Sequence, residues 1–121
     1  MNTKTFVSII NQIVAKATKA DIVEDLLDPP GRQPDPETVA LSHWFESLDE
    51  QSRTFVERVI DQAVDTTLFD MFSVLDGVRA IEDEGEKGHL ELNYTKDYIT
   101  TQLNSPDEEY LHDLYNQVKD L

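Results

Sequence analysis

Apolar positions recur at spacings of three and four over most of the chain, the period of helices that bury one side. Near the N-terminus Phe6, Ile9, Ile10, Ile13, Val14 and Ala17 align along one side, with Asn11, Gln12 and Lys16 turned away. A shorter set, Ile22, Val23, Leu26 and Leu27, follows Asp21, a suitable N-cap, and stops at Pro29 and Pro30, which cannot continue a helix. Residues 28–36, DPPGRQPDP, hold four of the five prolines and predict an extended connection over the surface. Pro36 then suits the first turn of a short helix carrying Val39, Ala40, Trp44 and Phe45.

Ser47 and Glu50 have the S-x-x-E spacing of a capping box, so a long central helix is expected from about 48 to 76. Phe55, Val56, Val59, Ile60, Ala63, Val64, Thr67, Leu68, Met71, Phe72 and Leu75 form its inner stripe, and Gly77 suits a left-handed stop. Phe69 and Val74 enclose the last turns, where Asp70 needs a partner such as Arg79 or a tyrosine hydroxyl. Val78, Ala80 and Glu82, then Leu90, Leu92 and Tyr94, alternate on either side of the turn 84–88, which predicts a β-hairpin over about 78–94. Tyr98, Ile99 and Leu103 read as one or two helical turns. Ser105, Pro106 and Glu108 announce a last helix whose inner stripe is Tyr110, Leu111, Leu114, Tyr115 and Val118. The fold expected is mainly α: a compact bundle of four to five helices around the central one, with the hairpin packed on it. Residues 1–121 form a single domain, with an N-terminal helical arm (1–27), a proline-rich connection (28–36) and an acidic body (37–121).

Composition sharpens this picture. With 121 residues and 39% hydrophobic content, the chain is long enough to bury a core without a metal or disulfide, and it has no cysteine to form one. No apolar run approaches the ~18 residues of a membrane span, so a soluble cytoplasmic protein is expected. The net charge of −15, from 25 acids against 10 Lys and Arg, disfavours nucleic acid and anionic membrane as partners. The charge is also divided. Residues 1–20 carry Lys4, Lys16 and Lys19 and no acid, which leaves −18 on the remainder.

Catalytic constellations are scarce. There is no G-x-S-x-G elbow, and the four glycines include no phosphate-cradling loop. His43 with Glu46, and Glu109 with His112, each place a histidine and a carboxylate three apart, but a di-iron bundle site needs more inward carboxylates than this pattern offers. The acidic stretch 82–91 fails as an EF-hand, since Gly85, Lys87 and Tyr94 fall where oxygen ligands belong. Asp70, Asp76 and Asp113 could act as paired acids only if folding brings them together. A non-enzymatic protein with no cofactor and no metal is expected, the alternative being a metal-binding or metal-assisted hydrolytic protein built on His43, Glu109 and His112.

The acidic surface remains. Glu57, Asp61 and Asp65 stand four apart on the expected solvent side of the central helix, and Glu82, Asp83, Glu84 and Glu86 crowd the hairpin turn. These seven are the candidate partner-binding residues, and the partner expected is a basic protein steered by their field. In size, acidity and lack of a catalytic motif the chain resembles immunity proteins and antitoxins that neutralise basic nuclease toxins, and proteins that imitate DNA. The resemblance is one of overall character, and it implies a small acidic interaction module. A homodimer in which the basic arm docks on a neighbour's acidic body is a further possibility.

Overall fold

In the computed structural model, which describes every residue from Met1 to Leu121, the first helix starts where the Asn2 side chain accepts from the Thr5 N–H at 2.8 Å. It runs on without a break as α1 (Thr3–Ile10), a π-helical stretch (Asn11–Lys16) and α2 (Ala17–Leu27). The separate helix expected after Asp21 does not exist, because no Gly or Pro interrupts the rod and Asp21 lies within α2. The inward positions also differ from the expected stripe. Thr3, Val7, Asn11 and Ala15 are buried, while Ile13 and Val14 are exposed. A four-residue repeat drifts around an α-helix by about 40° per step. The wider i→i+5 turn of the π stretch offsets that drift and keeps Asn11 and Ala15 facing the core.

After the proline-rich connection, α3 (Pro36–Glu46) starts as expected, with Pro36 in its first turn and Asp35 accepting from the Thr38 N–H at 3.3 Å. The central helix α4 (Glu50–Leu75) is capped by Asp49, not Ser47. Asp49 accepts from the Ser52 N–H at 2.7 Å, while the Ser47 hydroxyl closes α3 on the Trp44 carbonyl. Those hydrogen bonds from Ser52, the backbone one foremost, hold the Asp49 carboxyl below its usual range. A carboxylate at this end also meets the positive pole of the helix, which a serine hydroxyl does not exploit.

Gly77 ends α4 with φ of 77°, as its position suggested. The hairpin lies later than expected, as β1 (Asn93–Lys96) and β2 (Ile99–Gln102), antiparallel with Tyr94 opposite Thr101. Residues 78–92 are irregular. A hairpin there would set the acids at 82–86 close together across its turn, whereas Thr95, Ile99, Thr100 and Thr101 are β-branched and suit paired strands. Asp97 and Tyr98, the two turn residues, both have positive φ, 52° and 64°. The segment read as helical turns is therefore β2. The last helix, α5 (Leu111–Val118), starts six residues beyond Ser105, which instead forms a local turn with Asp107 and Glu108.

The fold is thus mainly helical with one two-stranded hairpin. Its core is Val7, Ala15, Phe72, Leu111, Leu114, Tyr115 and Val118, where α1, the π stretch, the end of α4 and α5 meet. Phe72 lies edge-on to Phe6 and tilted against Tyr115. The α3 helix packs on α2 and buries Phe45. No helix is long and apolar enough to cross a membrane. Asn104, 8% exposed, fastens the irregular segment to the rest. It donates to the carbonyls of Leu75 and Leu90 at 2.6 and 2.8 Å and accepts from the Leu92 N–H at 2.8 Å. Asn104→Ala strands three backbone groups, so urea unfolding should show a loss of about 2–4 kcal/mol.

Candidate functional site

Glu57, Asp61 and Asp65 follow one another at four-residue spacing on α4, but they do not form a free acidic face. Glu57 and Asp61 are exposed along a groove whose other wall is Lys16, at the end of the π stretch, and Lys19, Ala20 and Val23 of α2. Asp65 is engaged. Lys19 Nζ lies 2.9 Å from its Oδ1, both side chains being less than one-fifth exposed, and the fully buried Tyr115 donates its hydroxyl to the same oxygen at 2.6 Å. The expectation that Asp65 faces solvent is corrected for a simple reason. Burying Tyr115 leaves a hydroxyl that needs an acceptor, and the acceptor's charge needs the arm's lysine. Burial, then the Asp65 hydrogen bond and charge, push the Tyr115 phenol well above its ordinary range.

With its acids turned toward α2, the first half of α4 shows part of the expected inner stripe to solvent. Phe55 is 52% and Val59 65% exposed, and Ala63 is exposed beside them. The core-facing portion of the stripe is confined to the second half, at Val64, Leu68, Phe72 and Leu75.

Of the three carboxylates Asp70, Asp76 and Asp113, Asp70 pairs with Arg79 at 2.8 Å, a partner named from the sequence, and stays partly exposed. Asp76 and Asp113 do meet, at His112. The Asp76 side chain is 1% exposed and accepts from the backbone N–H groups of Leu111 and His112 at 3.0 and 2.9 Å. It also lies 2.6 Å from His112 Nδ1, while His112 Nε2 is 3.4 Å from Asp113. Phe69 meets the imidazole edge-on and Tyr110 stacks on it. Asp76 therefore caps α5 from 35 residues away, supplying the cap that Tyr110 lacks. Sequence reasoning missed this because a cap from a distant element leaves no local spacing.

His112 turns to Asp76 and not to Glu109, which accepts from Gln117 at 3.4 Å. His43 and Glu46 are exposed on α3. No group of three or more His, Asp or Glu is placed to hold a metal ion.

Glu82, Asp83, Glu84 and Glu86 are all exposed in the irregular segment after α4. Glu82 accepts from the Gly88 N–H at 3.1 Å, which folds the segment back on itself, and Gly85 takes a positive φ between them. Val74, Val78, Ile81, Leu90 and their neighbours line a cavity of about 430 Å³ at the foot of this loop. Of the Lys and Arg side chains, Lys19 and Arg79 alone reach a carboxylate. Arg53 is spent on the carbonyls of Phe45 and Glu46, and Lys16 on that of Leu121. The loop's acids thus have no Lys or Arg partner.

The chain matches no protein-family model, and comparison with curated proteins and solved structures finds no similar chain. What it does rests on its own geometry.

Two outcomes test the junctions. Asp76→Ala should cost about 2–4 kcal/mol in urea unfolding, since it strands two backbone N–H groups and the imidazole. Because the Tyr115 phenol is raised in the folded state, its contribution is complete below the ordinary tyrosine value near ~10 and fades as pH rises beyond it. The stability difference between the natural chain and Tyr115→Phe should therefore shrink above about pH 10, as read from denaturation midpoints against pH.

Proposed function

We propose that the protein is a non-enzymatic interaction module that binds a basic protein through its acidic loop, at Glu82, Asp83, Glu84 and Glu86. Glu57 and Asp61 add a second acidic edge, and Asp65 supports the fold instead of the partner. The observation that carries this reading is that the four loop acids are exposed and none forms an ion pair, not even with Lys87, which follows Glu86 in the same loop. Clustered charge of one sign raises the association rate of an opposite partner about 10- to 1,000-fold at low salt, and repels nucleic acid and anionic bilayers. The cavity beside the loop, with Ile81 and Leu90, offers apolar contact next to the charges. Neutralising a basic cytoplasmic enzyme, as immunity proteins and antitoxins do, is the form of this activity that best suits the size and charge of the chain.

A partner captured from the native cell and then purified provides the test. It should be basic, and its association rate should fall at least about tenfold between roughly 0.05 and 0.5 M salt. Combining Glu82→Lys, Asp83→Lys, Glu84→Lys and Glu86→Lys should weaken binding about 10- to 100-fold. Binding that ignores both salt and charge reversal would overturn the proposal.

A further inference from the structure

We propose that the groove between α2 and α4 seats an amphipathic, Lys- or Arg-rich helix of the partner. This rests on the reading above that the partner is a basic protein, and adds which element of it is recognised. Lys19 reaches α4 through Asp65, so it marks the side of α2 that faces α4. At 100° per residue, Val23, Leu27 and Ala20 follow Lys19 around α2 by about 40°, 80° and 100°, and Glu24 by about 140°. An apolar stripe therefore lies between Glu57 and Asp61 of α4 on one side and Glu24 on the other. Val23 is half-buried, Ala20 is exposed and Leu27 is 52% exposed. The groove holds about 590 Å³, and from Lys16 to Leu27 it runs about 16 Å, or three helical turns.

Charge complementarity defines the occupant. Glu24, Glu57 and Asp61 are exposed, and none of them forms an ion pair. The two cations that line the same groove are already committed, Lys19 to Asp65 and Lys16 to the Leu121 carbonyl. Three carboxylates thus border the stripe with no cation of this chain to answer them. Their complement is a segment with an apolar stripe flanked by Lys or Arg, and a nucleic acid, an anionic bilayer or an acidic peptide is repelled. The segment is a helix because Ala20, Val23 and Leu27 recur at i, i+3 and i+7. Their stripe runs along the axis of α2, where the matching stripe of a third helix can lie beside it.

Two synthetic peptides of about 18 residues serve as probes, each built of leucine and lysine in equal proportion. One repeats leucine at spacings of three and four, and the other has the same composition in an order without a stripe. With the full isotope-labelled chain at about 0.15 M salt, the striped peptide should bind at least about tenfold more tightly than the other. It should move the backbone amide resonances of Ala20, Val23, Leu27, Glu57 and Asp61 and leave those of Glu82 to Glu86 in place. Combining Glu57→Lys and Asp61→Lys should weaken it about tenfold with an unchanged helical circular dichroism signal, because both residues are exposed. Reversing the four loop acids should change it less than about twofold, since the loop lies beyond Leu75, about 21 Å along α4 from Asp61 and outside the ~8 Å screening length. Equal binding of the two peptides, resonance changes centred on Glu82 to Glu86, or no binding would each overturn the groove site and leave the loop reading standing. A captured partner indifferent to loop charge would overturn the loop reading and leave the peptide result intact.

Discussion

The carboxylate of Asp65 is where three helices are tied together. It accepts from Tyr115 of α5, pairs with Lys19 of α2 and belongs to α4 itself. Each member answers a need of the others: the phenol cannot be buried without an acceptor, and a carboxylate this covered is costly without a cation. Once the three are joined, α4 cannot rotate about its axis. That single choice turns Glu57 and Asp61 to the α2 groove, directs Leu68 and Phe72 to the core, and leaves Phe55 and Val59 outside.

Elsewhere the chain also relies on polar side chains acting across long sequence distances. Asp76 caps α5 and Asn104 holds the carbonyls of Leu75 and Leu90, so the end of α4, the acidic loop, the hairpin and α5 are joined at two polar points. Between these anchors the loop carrying Glu82 to Glu86 is irregular and open to solvent. A segment fixed at both ends and exposed between them presents charge without contributing to the core. Under the proposed function, binding and folding fall to separate stretches of the chain.

Much of the architecture was legible in the sequence. The length of α4, its stop at Gly77, the start of α3 at Pro36, the Asp70–Arg79 pair and the presence of one hairpin follow from local spacing and turn chemistry. The rotation of α4 was not legible, because apolar residues lie on several sides of it and Phe55–Val59–Ala63 has the same period as a core stripe. The position of the hairpin is not legible either, because Leu90, Leu92 and Tyr94 alternate as a strand does, while the Asp97–Tyr98 turn lacks glycine. Of the candidate site, the exposure of Glu82 to Glu86 could be read from composition. The engagement of Asp65 could not, since it depends on Tyr115, 50 residues away.

The packing of the basic arm through Lys19 and Asp65 is the central claim, and a double-mutant cycle measures it most directly. Lys19→Met, Asp65→Asn and the double variant, unfolded in urea, should give a favourable coupling of about 0.5–3 kcal/mol. Additive effects, with no coupling between the two positions, would contradict the account.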